Sequence, residues 1–366
     1  MPDNSSSAIR VIGFPSLYVQ GPGALAQLPA CLERLQSGCR AAAVVDPIVL
    51  GLFEALSAAM MPGRLIPIPF GGECTRAEIG RLAEAARRSQ ADVVVGAGGG
   101  KAVDSAKAVA QALDLPIAIV PTIASSDAPT SRLIAIYDEA HKIIDVPLLR
   151  RNPDIVLVDT DVLIKAPRRF FVAGIGDAIT KKFEVKEAAA SGYLNYFQGQ
   201  PTALSLQLAQ ACLDTILRDS AAALDAVATG TLSPAFERVV EATVLYSGLA
   251  FEGGGLSVAH GMLRGLTAYP QTLSALHGEL VAYGLLVQLH ATAQPEAMIA
   301  RIAAFLRQVG LPARLADIGL GGIGIADMRR IAELTMTAPY VAARRPALDA
   351  DMLLVAMQTV EALATA

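Results

Sequence analysis

The sequence predicts an α/β N-terminal domain with a mostly parallel, Rossmann-like sheet, followed by an all-helical C-terminal domain. Short β-rich runs alternate with helical patterns in the first half, and the strand signals stop after about Pro167. The chain has 366 residues, of which 53% are hydrophobic, enough to bury two cores. We therefore assign domains to residues 1–167 and 168–366, and expect the active site in the cleft between them.

The predicted strands are short apolar runs that end at turn residues. Two segments between the strands carry apolar residues at helical spacing, RAEIGRLAEAARRS and AVDSAKAVAQAL. This alternation is typical of βαβ units, in which ligands bind beyond the carboxyl ends of the strands. The strand segments are AAAVVD, ADVVVGAG, PIAIVP and DIVLVD.

The second half is predicted to be helical, with segments such as AGIGDAITKKFEVKEAAA, TALSLQLAQACLDTILRDSAAAL, PAFERVVEATVLYSGLAF and MLLVAMQTVEALA. The net charge is −4 and no long run of Lys and Arg occurs, which argues against a nucleic-acid partner. The N-terminus lacks the apolar segment of a signal peptide, and no apolar run is long enough to span a bilayer. We therefore expect a cytoplasmic protein with no membrane partner. The four cysteines are irregularly spaced, so we expect reduced, packed thiols.

A glycine-rich loop follows the predicted strand ADVVVGAG. Gly98, Gly99 and Gly100 lead through Lys101 into a helix, so backbone N–H groups and the helix N-terminus can face a phosphate. The loop matches neither the dinucleotide fingerprint nor the Walker A motif. The pattern indicates a pyrophosphate cradle, with a ligand-free tight turn as the alternative.

Asp46 ends the earlier strand AAAVVD. A carboxylate there can accept hydrogen bonds from a ribose diol and repels a 2′-phosphate, which favours NAD over NADP. A helix cap is the alternative interpretation.

A second polar loop, residues 122–131, follows the strand PIAIVP and contains five hydroxyl side chains and Asp127. At the ligand-facing edge of a sheet, such a loop can contact cofactor and substrate hydroxyls. The alternative is a set of turns and caps, which Ser, Asp and Pro also form.

The helical half contains one carboxylate and two imidazoles of interest, Asp177, His260 and His277. Two neutral imidazoles and one carboxylate can hold a divalent metal and leave a position open for a substrate oxygen. Spacings this long do not establish a metal site, because single histidines more often fill cores or cap helices.

These segments together resemble the glycerol dehydrogenase branch of the iron-containing alcohol dehydrogenases. The resemblance extends from near the start of the chain to about residue 310. Its motifs are PFGGEC at 69–74, GAGGGKAVDSAKAVA at 96–110, PTIASSDAPTS at 121–131, NPDIVLVDT at 152–160, AGIGDA at 173–178, YSGLAFEGGGLSVAHG at 246–261 and HGELVAYGLLVQL at 277–289.

The resemblance implies an NAD-dependent, metal-assisted dehydrogenase that oxidises glycerol or a related small polyol. Asp177, His260 and His277 would bind one divalent ion, zinc or iron, and Asp127 would face the substrate. A homo-oligomer, either a dimer or an octamer, is also expected. The residues implied in NAD binding are Asp46, Gly98, Gly99, Gly100, Asp104, Thr122, Ser125, Ser131, Leu133 and Tyr137, and we add Lys101 from the glycine loop.

The chain departs from the family pattern around the predicted metal site. Lys181 and Lys182 stand where small or apolar residues are usual, Leu263 and Arg264 replace a histidine and an asparagine, and TAPYVAARRPAL replaces an Ile-His-Asn segment. On helices, Lys181 would lie one turn beyond Asp177 and Arg264 one turn beyond His260.

Two alternative functions therefore stay open. If Lys181 and Arg264 face the substrate, an anionic 2-hydroxy acid or 2-keto acid would suit them. They can instead pair with protein acids such as Glu184 or Glu252, or reach solvent. A lyase resembling dehydroquinate synthase is a lesser alternative, and net NADH formation would separate it from a dehydrogenase.

Overall fold

Six parallel strands form the main sheet of the computed structural model, which describes residues 9–364. The strand order is β1-β8-β5-β4-β2-β3, and a separate antiparallel pair joins β6 to β7. The strands are β1 (Leu17–Gly21), β2 (Ala41–Val45), β3 (Leu65–Pro69), β4 (Val93–Gly98), β5 (Ile117–Pro121), β6 (Ile136–Tyr137), β7 (Ile143–Asp145) and β8 (Ile155–Asp159).

The four predicted strands are the four central strands β2, β4, β5 and β8. All are fully buried, as expected for strands covered on both faces. The two strands of the main sheet that the sequence did not predict, β1 and β3, are its edges, and the short pair β6 and β7 was not predicted either. β1 is only half-buried and carries Tyr18 and Gln20, and β3 contains two prolines, which edge strands tolerate because one side needs no ladder hydrogen bonds.

Helices connect the strands and make up most of the chain after residue 167. A π-helical turn, Ala242–Tyr246, links α8 to α9, and within the described residues no strand follows β8. The helices are α1 (Leu28–Leu35), α2 (Leu50–Met60), α3 (Arg76–Arg88), α4 (Gly100–Leu113), α5 (Thr160–Leu163), α6 (Arg168–Ser191), α7 (Ala203–Thr229), α8 (Pro234–Glu241), α9 (Ser247–Gly254), α10 (Val258–Gly261), α11 (Leu263–Leu266), α12 (His277–Ala291), α13 (Glu296–Val309), α14 (Ile325–Thr335), α15 (Pro339–Ala342) and α16 (Ala350–Ala364).

The chain divides into two units. The sheet unit comprises Phe14–Pro167 with Ala226–Ser233. The helical unit comprises Arg168–Asp225, the chain from Pro234 onward and the described residues up to Gly13. The fold class predicted from sequence is therefore confirmed: a parallel sheet with helices, and a second, helical unit.

The core of the sheet unit packs α1 and α2 against the central strands, with Leu28, Leu32 and Phe53 fully buried beside the alanines of β2. All four cysteines are buried free thiols, as the sequence predicts. Within residues 9–364, no helix combines the length and the hydrophobicity that a bilayer span needs.

Candidate active site

The structure brings Asp177, His260 and His277 together in the helical unit. The Nε2 atoms of His260 and His277 lie 3.3 and 3.8 Å from Asp177 Oδ1. Of the described residues, only these three form a group of His, Cys, Asp or Glu donors that lie within 4.8 Å of one another. Two imidazole nitrogens and one carboxylate oxygen are ligands that zinc and iron accept. The donor set therefore fits a divalent metal.

Glycines beside the ligands let the backbones approach closely. A Cβ atom at Gly278 would lie 1.7 Å from the carbonyl oxygen of Ala173, and one at Gly176 would lie 2.4 Å from the carbonyl oxygen of Gly278. Asp177 on α6 and His277, the first residue of α12, adjoin these two glycines. The close contact of α6 with the start of α12 therefore sets the separation of two of the three ligands.

Glu184 orients His260. Its Oε2 lies 2.6 Å from His260 Nδ1, and its Oε1 accepts the backbone N–H groups of Ser257 and His260. Burial would raise the pKa of Glu184, but the His260 imidazole, the hydrogen bonds from His260 and the Lys181 ammonium lower it. With Nδ1 bound to a carboxylate, Nε2 is the atom presented to Asp177, an arrangement common for metal-binding histidines. Sequence reasoning missed this role, although Glu184 lies two helical turns beyond Asp177 and on the same face of α6.

Lys181 is also part of this cluster. Its fully buried Nζ donates to Asp177 Oδ1 at 2.5 Å and lies 3.3 Å from His260 Nε2 and 5.5 Å from the centroid of the Phe251 ring. Burial would raise the pKa of Asp177, but the Lys181 ammonium holds it well below its usual range. The position one turn beyond Asp177 agrees with the helical prediction. Lys181 thus donates to the predicted ligand Asp177, a pairing that the sequence analysis does not name.

The other two cations near the metal ligands in sequence have different surroundings. Lys182 is half-buried and donates to Gln210 Oε1. Arg264 is exposed, and its Nη1 donates to Thr337 Oγ1 at 3.3 Å. Because water solvates an exposed guanidinium, Arg264 does not need an anionic substrate to offset its charge.

The glycine loop follows β4, at the carboxyl edge of the sheet. Gly98 has φ +148°, and a Cβ atom there would lie 2.7 Å from Ala102 Cβ and 2.9 Å from Asp46 Cβ. Asp46 follows β2, and its Oδ1 accepts the Ile48 N–H as a helix cap. Asp46 and the glycine loop therefore lie side by side, and their binding of a dinucleotide stays a prediction.

The second polar loop packs against the glycine loop. Thr122 N donates to Gly98 O, and a Cβ atom at Gly99 would lie 2.8 Å from Ile123 Cδ1. Asp127 and Ser131 are buried, whereas Ser125 is half-buried. The structure thus places Thr122 and its loop next to Gly98–Gly100.

Asp104 and Lys107 hold the polar loop from within α4. Lys107 Nζ is fully buried and donates to Asp104 Oδ1, Ala128 O and Leu133 O, and Asp104 Oδ2 accepts the Ala135 N–H. Burial raises the pKa of Asp104 despite Lys107. Both oxygens of Asp104 thus have partners within the protein, and the sequence did not reveal this positioning role.

Lys101 forms an ion pair within the sheet unit. Its Nζ lies 2.6 Å from Glu73 Oε2 and 5.0 Å from the centroid of the Tyr137 ring, and His141 contacts the same carboxylate. Burial alone would raise the pKa of Glu73, but the hydrogen bonds from Lys101 and His141 lower it. Two residues predicted to bind the cofactor, Lys101 and Tyr137, are therefore neighbours.

Comparisons with known proteins point to one enzyme family. The model of the family described as iron-containing alcohol dehydrogenase matches residues 15–160. A glycerol dehydrogenase of Thermotoga maritima is 44% identical over 87% of this chain and 88% of its own length. A less similar relative, hydroxycarboxylate dehydrogenase A of Escherichia coli, is 32% identical over 87% of both chains. The crystal structure of a probable glycerol dehydrogenase from Sinorhizobium meliloti 1021 is 37% identical, with a TM-score of 0.90 over 98% of this chain and 99% of its own.

Proposed function

The chain belongs to the iron-containing alcohol dehydrogenase family, in its glycerol dehydrogenase branch, and on that premise we propose that it uses NAD to oxidise a secondary hydroxyl of glycerol or a related small polyol to a ketone. It is an oxidoreductase that acts on CH–OH groups. The observation that carries the proposal is the convergence of Asp177, His260 and His277 in the helical unit.

Asp177, His260 and His277 would hold one divalent ion, zinc or iron. When bound, such a metal acts as a Lewis acid that lowers the pKa of the substrate hydroxyl, while the substrate carbon gives its hydride to nicotinamide. Glu184 keeps the Nε2 atom of His260 directed at the ligand cluster. His277 is about half exposed, with 47% of its side chain accessible, so a substrate can approach the cluster from this side.

The cofactor would bind to the sheet unit. The backbone N–H groups of Gly98–Gly100, at the start of α4, would bind the pyrophosphate, and Asp46 beside them would accept hydrogen bonds from the ribose diol. Asp104 supports this site through the Lys107 network, and the polar loop carries Asp127, our candidate for a hydrogen bond to a substrate hydroxyl.

A neutral polyol is favoured over an anionic hydroxy acid. Lys181 donates to Asp177, and Arg264 is exposed and donates to Thr337, so neither cation is arranged as a buried receptor for a carboxylate. The relative named hydroxycarboxylate dehydrogenase A makes the hydroxy acids the necessary comparison in any activity test.

The proposal is tested by steady-state kinetics with glycerol, small diols and 2-hydroxy acids, using NAD. We expect net NADH formation with a polyol and a higher kcat/KM for the polyol than for any hydroxy acid. His277→Ala should lower kcat/KM by about 100-fold or more, because even the loss of a group that supports a metal ligand costs about 10- to 100-fold. His290→Ala is the matched control, since His290 lies at the other end of α12.

Three results would contradict the proposal. A chain that turns over a substrate with no net NADH would fit the lyase alternative. A preference for hydroxy acids that is lost in Arg264→Asn would support the alternative hypothesis that the substrate is anionic. An unchanged rate in His277→Ala would show that His277 is not a metal ligand. The predicted homo-oligomer is tested separately, by measuring the molar mass in solution with light scattering.

A further inference from the structure

Lys181 is an unusual neighbour for a set of metal ligands. Its side chain is fully buried, and its ammonium contacts two of the three ligand side chains, Asp177 at 2.5 Å and His260 at 3.3 Å. It comes from the same helix as Asp177, one turn further on. A positive charge is thus built into the cluster that would receive a positive ion.

Electrostatic repulsion opposes the simultaneous binding of the Lys181 ammonium and a metal ion to Asp177. A metal bonded to Asp177 Oδ1 lies about 2.2 Å from it at most. With Lys181 in its present position, 2.5 Å from the same oxygen, that metal would be no farther than roughly 4.7 Å from Nζ, whatever its direction. Two cations at such a separation repel each other, and the full burial of Lys181 leaves little water around its ammonium to screen the repulsion.

We propose that the Lys181 ammonium and a divalent metal are alternative occupants of the Asp177–His260–His277 cluster, so that Lys181 sets the affinity of this chain for its metal. The inference rests on the ligand set named in the proposed function. When no metal is bound, Lys181 would offset the charge of the buried Asp177, which it contacts together with His260. Metal binding then requires the ammonium to leave Asp177, and the lost ion pair weakens the affinity for the metal.

The test measures the Kd for Zn²⁺ by competition with a chromophoric chelator in the unmodified protein, in Lys181→Met and in the smaller Lys181→Thr. We expect both Lys181 variants to bind Zn²⁺ at least tenfold more tightly than the unmodified protein. Lys182→Met is the matched control, because Lys182 is the next residue on α6 but donates to Gln210, and its Kd should not change.

Thermal denaturation separates this role from simple packing. Without metal, Lys181→Met should have the lower Tm, because Asp177 is then buried without its ammonium partner. Saturating Zn²⁺ should raise the Tm of Lys181→Met more than that of the unmodified protein, as tighter binding to the folded state requires. If Lys181 were only a packing residue, its replacement would lower the Tm and leave the Kd unchanged, which would overturn the proposal.

A crystal of the unmodified protein soaked in Zn²⁺ provides a test that does not depend on the variants folding. We expect zinc at Asp177 and the Lys181 ammonium withdrawn from it; zinc bound with Lys181 still on Asp177 would refute alternative occupancy.

The His277→Ala variant separates a failure of the proposed ligand set from a failure of the inference about Lys181. If it binds Zn²⁺ as well as the unmodified protein does, the proposed ligand set fails. If it loses Zn²⁺ while the Lys181 variants bind no more tightly than the unmodified protein, only the inference about Lys181 fails.

Discussion

Asp46 is the single residue that we expect to choose between NAD and NADP. It lies against Gly98 of the glycine loop and caps Ile48 N–H through Oδ1. In Asp46→Ser the hydroxyl can still cap the helix, but the charge that opposes a 2′-phosphate is gone. We expect the unmodified protein to prefer NAD and the ratio of kcat/KM for NAD to that for NADP to fall roughly tenfold in the variant.

The control for Asp46 is Asp114→Asn, which removes an exposed carboxylate at the far end of α4 and should leave the ratio unchanged. Equal kcat/KM for NAD and NADP in the unmodified protein would show that Asp46 does not discriminate between the cofactors.

Asp219 is a residue whose contribution to stability should depend on pH. Hydrogen bonds from Arg238 outweigh burial and, with those from Arg218, lower its pKa to about 2. This is below the value of about 3.9 expected in the unfolded chain. The stabilisation is therefore complete above about pH 4 and is lost as the pH falls towards 2.

We expect Asp219→Asn to cost roughly 1 kcal/mol near pH 7, since both arginines are about half exposed and solvent screens the pair. The difference in Tm from the unmodified protein should shrink as the pH is lowered to about 3. Asp214→Asn, an exposed position on the same helix that accepts from Gln210, should show neither effect. A difference in Tm that stays constant between these pH values would argue against the ion pair.

The residues of the site were predicted with unequal success, for physical reasons. Sequence motifs placed Asp177, His260 and His277 in one site, and the structure brings them together. Helical spacing also located Lys181 one turn beyond Asp177. It could not identify the partner of Lys181, because several buried acids lie within reach and only the packed structure selects among them. The same spacing puts Glu184 on the face of α6 that carries Asp177, but no local pattern indicates that its carboxylate contacts His260.

Among the secondary-structure elements, the contact between α6 and α12 determines the ligand geometry. In Gly278→Ala, the added Cβ would lie 1.7 Å from Ala173 O, a backbone atom that cannot rotate away. We expect α12 to shift, moving His277 away from Asp177, with a loss of about 3 kcal/mol or more in the free energy of unfolding. Zinc affinity and thermal denaturation would both report the change.

Gly80→Ala is the matched control for this packing argument. Gly80 is exposed within α3, and nothing lies within 4 Å of a Cβ atom there. Alanine should therefore stabilise the protein by about 0.5–1 kcal/mol through its better helix propensity, with no effect on zinc binding. If Gly278→Ala behaved like Gly80→Ala, the close helix contact would not be what positions His277.

The strands show where sequence patterns stop being informative. Central strands such as β4 are apolar at nearly every position because helices cover both faces of the sheet, and this pattern is easily recognised. The edges β1 and β3 mix polar residues or prolines with apolar ones, and they are strands because a neighbouring strand pairs with them. Such pairing is a tertiary interaction that no local window of sequence contains.

For the molecule as a whole, the two proposed binding functions belong to different units. The glycine loop, Asp46 and the polar loop all lie in the sheet unit, and the three metal ligands and Lys181 all lie in the helical unit. A ligand that binds only the folded state stabilises the segments that contact it, and this slows their amide hydrogen exchange. Each ligand should therefore protect its own unit first.

We expect hydrogen-exchange mass spectrometry to show this division. Zn²⁺ alone should slow exchange in residues 173–185 and 257–284, which carry the ligands and the helices that position them. NADH alone should slow exchange in residues 93–105 and 121–137, which carry the glycine loop and the polar loop. In His277→Ala, the protection by Zn²⁺ should disappear while the protection by NADH persists, because the substitution leaves the sheet unit unchanged. Protection by Zn²⁺ around Glu73 and His141 in its place would move the metal to the sheet unit and contradict the assignment of the centre.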